Sequence, residues 1–293
     1  MQMTRLIALA AVGGASLAIS QAYTFYGVTL GASLVTFDSA TPGTINSTVG
    51  ISGLQGGERL LGIDFRPGNG ELFALGSTSR LYSINTSSGV ATLVGGQFGT
   101  LLNGSAFGFD FNPTVDRIRV TSNTGQNLRL NPNNGTVAFV DGSLAYAAGD
   151  QNNGLTPNIV ASGYINSFAG STTTTLFNID SSLDTLVNQT PPNDGTLNTV
   201  GAIGVNPSNV TDMDIVFDGG QNFAFFSTNV PNNASSSFYS INLANGAGSL
   251  IGNFGGNQRI SLIAAQPVPE PTTMLILAIG GAAMLRRRKK VLN

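Results

Sequence analysis

Gly62-Ile63-Asp64-Phe65-Arg66-Pro67 returns 46 residues later as Gly108-Phe109-Asp110-Phe111-Asn112-Pro113. The same offset carries Asn85 onto Asn131, Gly89 onto Gly135 and Val94 onto Val140 without a gap. A period in the forties holds four short strands and their turns, and one such unit cannot bury its apolar face alone. The repeat therefore predicts a ring of four-stranded blades, a β-propeller.

Within the first full unit, strands are expected at 62–66, 71–75, 80–85 and 91–95. Pro67-Gly68-Asn69-Gly70, Ser77-Thr78-Ser79 and Thr86-Ser87-Ser88-Gly89 separate them. The second unit places its strands at 109–112, 117–121, 127–131 and 137–140. A strand ending in Asp or Asn, which cap a following turn, occurs five times: Leu34-Asp38, Leu81-Asn85, Leu128-Asn131, Leu176-Asp180 and Phe238-Asn242. Each reads as the third strand of a blade. The first unit lacks an inner strand, while Arg259 to Ala264 is a strand without a unit; pairing the two closes the ring and removes open sheet edges. The matching inner positions then become Asp64, Asp110, Ser162, Asp214 and Ser261. The fourth unit is the least regular. Val160–Asn166 reads as two merged strands and the polar insert Gln189–Asn198 has no counterpart, so six blades is the alternative to five. The expected class is all-β, a propeller over 23–266, with a signal helix in 1–22 and a hydrophobic helix in 267–293.

Composition narrows the chemistry. The 293 residues include no His, Cys or Trp, which excludes a Ser-His-Asp triad, a thiol nucleophile, a zinc finger and disulfide bracing. Apart from the two ends, the chain carries seven basic and 14 acidic residues and no Lys. A surface that tracks phosphates is not expected, and neither is a nucleic-acid partner. Gly53-Leu54-Gln55-Gly56-Gly57 precedes no helix and lacks a phosphate-loop Lys, so no nucleotide site is expected.

Both ends read as addresses. Arg5 precedes an apolar and small run from Leu6 to Ile19, and Ser20-Gln21-Ala22 has the small-x-small pattern for signal peptidase. Cleavage after Ala22 would start the mature chain at Tyr23. At the other end Val268-Pro269-Glu270-Pro271 precedes the apolar run 272–285 and the basic block Arg286-Arg287-Arg288-Lys289-Lys290. As a helix that run spans about 21 Å, short of a ~30 Å hydrocarbon core, unless snorkelling arginines extend it. The basic block is expected to stay cytoplasmic, leaving the body outside. This order of motif, span and Arg cluster resembles the PEP-CTERM sorting signal of Gram-negative bacteria that secrete extracellular polysaccharide. The resemblance implies transient membrane insertion, processing by an exosortase near Pro269, Glu270 and Pro271, and release to or attachment at the cell surface. An uncleaved anchor is the alternative.

The run 108–113 with Asp116-Arg117-Ile118-Arg119-Val120, Gly125-Gln126-Asn127-Leu128-Arg129 and Ala145-Tyr146 resembles the domain-of-unknown-function family 4394. That likeness covers roughly residues 24 to 255 and implies a propeller-like, exported domain. It carries over no catalytic residue.

Three candidate sites follow from the residues. Asp64, Asp110 and Asp214 recur on inner strands and can converge on Ca²⁺, which takes six to eight oxygen ligands; alternatively each bonds backbone N–H groups and locks neighbouring blades. Arg117 and Arg119 share one face of a strand beside Arg129. They can grip an anionic sugar or pair with Asp110, Asp116 or Asp141. Asp150-Gln151-Asn152-Asn153-Gly154 is oxygen-rich but lacks the terminal acid of an EF-hand loop. These features point to a non-catalytic surface or matrix protein associated with extracellular polysaccharide, needing no cofactor. A Ca²⁺-dependent propeller hydrolase or lactonase using the Asp residues is the rival.

Overall fold

Short segments rich in Phe, Val, Ile and Leu, most of them ended by a Gly-, Asn- or Asp-bearing turn, form strands in the computed structural model, which describes residues 21–229 and 234–269. Five sheets result. The first contains β1 (Thr24–Thr29), β2 (Ser33–Asp38) and β3 (Ile45–Gly50). The second is β4 (Leu60–Phe65), β5 (Leu72–Gly76), β6 (Arg80–Ile84) and β7 (Ala91–Val94). The third is β8 (Phe107–Asn112), β9 (Arg117–Ser122), β10 (Asn127–Asn131) and β11 (Thr136–Val140). In the fourth, β13 (Ile159–Tyr164), β14 (Leu176–Asp180), β15 (Thr185–Gln189) and β16 (Thr196–Ala202) are joined at the edge by the parallel two-residue strand β12 (Ala145–Tyr146). The fifth is β17 (Thr211–Asp218), β18 (Gln221–Thr228), β19 (Ser237–Ile241) and β20 (Gly248–Asn253). The last strand, β21 (Ile260–Ala265), returns to the first sheet and pairs antiparallel with β1, from Val28↔Leu262 to Phe25↔Ala265. The arrangement is a five-bladed β-propeller closed as expected, with β21, β4, β8, β13 and β17 innermost.

The fourth blade departs from the expected reading. Val160–Asn166 is not two strands: Ile159–Tyr164 forms one wholly buried inner strand. Leu176–Asp180 is accordingly the second strand of its blade, not the third. Asp180 Oδ1 accepts the Ser182 and Leu183 amides, as Asn85 Oδ1 accepts those of Ser87 and Ser88. The same capping chemistry serves two different turns, which is why the residue type misassigned the strand. The insert 189–198 supplies the link to β16 and carries Asn193, which reaches across to the third blade.

Blades pack through side chains. Phe25, Phe37, Phe225 and Phe238 fill the seam between blades five and one, with ring centroids 5.2–5.5 Å apart. Ile63, Leu72, Tyr82 and Leu262 serve blades one and two, and Phe73, Phe109 and Phe111 serve blades two and three. Ile179, Met213, Ile215 and Phe226 join blades four and five. Offset and edge-to-face ring pairs add to the burial of such area.

Ala22 and Pro269 lie exposed at the borders of the described residues. The expected signal helix, and Glu270, Pro271, Arg286, Arg287 and Arg288 with the expected hydrophobic helix, lie outside them. Among the described residues no helix is long and apolar enough to cross a membrane.

Inner strands approach closely where the sequence places glycine. A Cβ on Gly62 would stand 2.3 Å from Phe109 Cβ, whereas one on Gly68 would meet nothing within 4 Å. Gly62→Ala should therefore destabilise the domain by about 1–3 kcal/mol through overpacking. Gly68→Ala should stay within about 0.5 kcal/mol. Urea unfolding of both variants checks the contrast.

Candidate functional site

Inner strands belong to different sheets, so no ladder joins them, and carboxylates take that role. Asp64 accepts the amide of Phe65 at 2.6 Å through one oxygen and that of Phe111, on the next blade, at 2.7 Å through the other. Asp214 repeats the pattern with Ile215 and Ala265, both at 2.6 Å. Asp110 accepts the Tyr164 amide at 3.1 Å through Oδ1; its Oδ2 has no hydrogen-bond partner among the described residues. Asp212 accepts Met213 at 3.0 Å and Ile263 at 2.9 Å. Asp212 and Asp214 reach Ile263 and Ala265 in step, so β17 and β21 run in the same direction.

These bonds correct the register read from sequence. The next-blade donors are residues 111, 164 and 265. Phe111 lies one beyond Asp110, the repeat equivalent of Asp64, and the same step is taken at the other two. The equivalents of Asp64, Asp110 and Asp214 are therefore Gly163 and Ala264, not Ser162 and Ser261. Ser162 instead bonds Thr121 and Asn178, and Ser261 donates to the Val28 carbonyl. Asp212 was missed, although the alternation in Asp212-Met213-Asp214 sets both acids on one face of a strand.

The structure brings Asp64, Asp110 and Asp214 together. Each is buried, and each has a carboxylate oxygen within 4.8 Å of the others'. Burial, with the negative charge of Asp214, holds the Asp64 carboxyl well above the usual range, against the pull of its two amides. Burial and the charges of Asp64 and Asp214 do the same to Asp110. Burial raises Asp212 too, and pushes Asp214 up to about 6 against its amides. As a cation site the cluster is partly spent. Beside Asp64 and Asp214, beneath Pro267 and Val268, lies a cavity of about 10 Å³, room for about one water.

Arg117, Arg119 and Arg129 form no open site. Arg119 is 1% exposed and bonds Asn127 at 2.8 Å, Asp141 at 2.6 Å, Asn193 at 2.8 Å and Tyr164 at 3.3 Å. Arg129 makes two bonds to the same Asp141, at 2.7 and 2.9 Å. Arg117 stands apart and donates to the Asp116 carbonyl, while Arg66 takes the Asp116 carboxylate. Arg119 thus anchors a polar seam between blades three and four, extended by Thr121, Ser162, Asn178 and Gln189. Asp150 in the oxygen-rich loop is held by the Asn152 amide and by the Thr199 amide and hydroxyl.

A second cavity, of about 260 Å³, opens at the opposite mouth of the ring, where the inner strands begin. Leu60, Phe107, Val160, Thr211 and Leu262, one from each inner strand, line it.

The family model described as "Domain of unknown function (DUF4394)" matches residues 33–264. The chain belongs to the DUF4394 family. The model for the PEP-CTERM protein-sorting motif matches residues 267–289, beginning two residues after β21 of the DUF4394 propeller. That motif marks the protein for export and cell-envelope sorting by exosortase-type machinery. No curated protein matches the sequence significantly. Similar solved structures include a dihydro-heme d1 dehydrogenase NirN in complex with DHE, at 11% identity and TM-score 0.38 over 78% of this chain and 43% of that one. A nidogen/laminin complex is similar at 10% identity and TM-score 0.46 over 84% and 98%. An auxiliary nutrient binding protein from Bacteroides ovatus is similar at 16% identity and TM-score 0.43 over 69% and 55%. The chain spans less than half the length of the first and little over half that of the third.

Raised carboxyls fix a sign. Asp214 has its ordinary value of 3.8 when unfolded and about 6 when folded. Its contribution is fully present below the first value and fades as pH rises through the second. Asp110→Asn keeps one acceptor and removes one charge. It should change stability by less than about 1 kcal/mol at pH 7.5 and leave in place the decline that Asp214 is expected to give the parent between pH 4 and 6. Asp64→Ala strands two buried amides and should cost about 2–4 kcal/mol. Thermal unfolding against pH tests this. A large loss in Asp110→Asn accompanied by Ca²⁺-dependent stability of the parent would assign the cluster to a bound cation instead.

Proposed function

We propose that this chain is an exported, non-catalytic propeller serving as a binding or structural module in the extracellular polysaccharide layer. The supporting observation is the opposition of the two mouths. β21 delivers the chain to the sorting motif at the end of the ring that carries the carboxylate staples. The 260 Å³ cavity opens at the other end. A protein handled through its C-terminal motif would present that cavity away from the point of attachment. Drug-sized ligands occupy pockets of roughly 300–1,000 Å³, so this one suits a small unit, such as one residue of a longer chain.

The rival, a Ca²⁺-dependent hydrolase or lactonase, has the three converging carboxylates in its favour. Two facts weigh against it. Five of the six oxygens of Asp64, Asp110 and Asp214 already accept backbone amides. The space beside Asp64 and Asp214 holds about one water.

Co-sedimentation of the mature protein with polysaccharide purified from the producing cells should show retention, undiminished in Asp110→Asn. No retention on any envelope fraction would refute the reading. Cleavage of a glycan or lactone by the parent, lost in Asp110→Asn, would install the rival.

A further inference from the structure

The basic groups of the propeller are distributed unequally between internal work and open surface. Its seven arginines are Arg59, Arg66, Arg80, Arg117, Arg119, Arg129 and Arg259. Five have partners for their guanidinium groups: Arg66 on Asp116, Arg80 on Thr78, Arg117 on the Asp116 carbonyl, and Arg119 and Arg129 on Asp141. Arg59 and Arg259 are exposed, and among the described residues neither guanidinium has a hydrogen-bond or ion-pair partner. Glu58 could have neutralised its neighbour, but it accepts the Thr78 amide and hydroxyl and the Tyr82 hydroxyl.

Both free arginines sit at the same place in the fold. Arg59 immediately precedes β4 and Arg259 immediately precedes β21, the inner strands of adjoining blades. Arg59 lines the 260 Å³ cavity. Arg259 accepts, through its carbonyl, the amide of Leu30, another residue of the cavity wall. None of the residues lining that cavity is acidic, in a domain whose acids outnumber its bases two to one. The wall combines the apolar surfaces of Leu30 and Leu60 with polar groups of Asn209 and Ser261. Asn209 Oδ1 is already taken by Asn158, and Ser261 donates its proton to Val28. What remains is an amide donor and hydroxyl lone pairs.

Resting on the polysaccharide reading above, we infer that this mouth binds an anionic sugar unit, a ring carrying a carboxylate, sulfate or phosphate. Arg59, in the wall, receives the charged group, Arg259 at the start of the adjoining inner strand adds positive charge to the same mouth, and the apolar wall of Leu30 and Leu60 receives the C–H face of the ring. A planar guanidinium presents paired N–H donors that match the oxygens of such anions. A ring with an apolar face and a hydroxylated rim suits a cavity that offers both kinds of surface.

Titration calorimetry on the mature protein tests this with oligosaccharides of glucuronate, of sulfated glucose and of unsubstituted glucose. An anionic series should bind at least about tenfold more tightly than the neutral one, and the difference should shrink as salt rises. Arg59→Ala should remove most of that advantage and Arg259→Ala a smaller part, and Arg59→Lys should keep part of what Arg59→Ala loses. Arg117→Ala, at the opposite mouth, should leave it intact. A preference for the glucuronate or the sulfated series identifies the anion, and either supports the inference. Equal binding of the neutral series, unaffected by Arg59→Ala, would overturn the anionic site while leaving the polysaccharide reading in place. Binding of no saccharide by a folded protein would overturn both.

Discussion

A carboxylate that accepts one amide from its own strand and one from the next blade is the interaction on which this ring depends. Within a blade every strand is stitched to its neighbour by a ladder, but innermost strands of adjoining blades have none. Asp64, Asp110, Asp212 and Asp214 bridge that gap with charge-capable acceptors, stronger than neutral ones when ionised. They also set the vertical register of one blade against the next. Side-chain packing alone leaves that register less sharply defined, because apolar surfaces slide more readily than paired hydrogen bonds.

The same device limits itself. Three carboxylates within 4.8 Å repel one another and are stripped of water, so each added charge costs more than the one before. Gly163 and Ala264 occupy the remaining equivalents, where further acids would crowd the axis. The two seams lacking a staple are held by apolar clusters, Ile179 with Met213 and Ile63 with Leu262. The seam between blades three and four adds a different solution, a buried Arg119 whose charge Asp141 meets and whose donors Asn127 and Asn193 share. An unpaired guanidinium there would be too costly to bury.

Much of the ring was legible because the second and third blades repeat at a constant 46 residues, and because β21 had no unit of its own. The fourth blade was not, since its inner strand is buried along its whole length and shows no alternation. Asp180 capped a turn in the expected way at an unexpected place in the blade. The convergence of Asp64, Asp110 and Asp214 could be read from the repeat, but their donors could not, because the offset between blades changes where the inserts lie. Arg119 and Arg129 advertised a positive cluster that the fold neutralises with Asp141. Arg59 and Arg259, separated by 200 residues, gave no such signal; only ring closure sets them at one mouth.

That closure also relates the two addresses to the fold. Gln266 donates its amide to the Thr24 carbonyl, and the Tyr23 amide is held by Ser39 Oγ. The residue expected to begin the mature chain and the residue before the sorting motif are therefore neighbours on one edge of blade one. A pull on the chain along the β21 axis would meet more than the strand's own ladder. It would have to shear the ladder to β1 and the Asp212 and Asp214 staples together, instead of peeling an outer strand one bond at a time. Placing the last strand innermost thus closes the ring and joins the sorting motif to a strand held both by the β1 ladder and by the Asp212 and Asp214 staples.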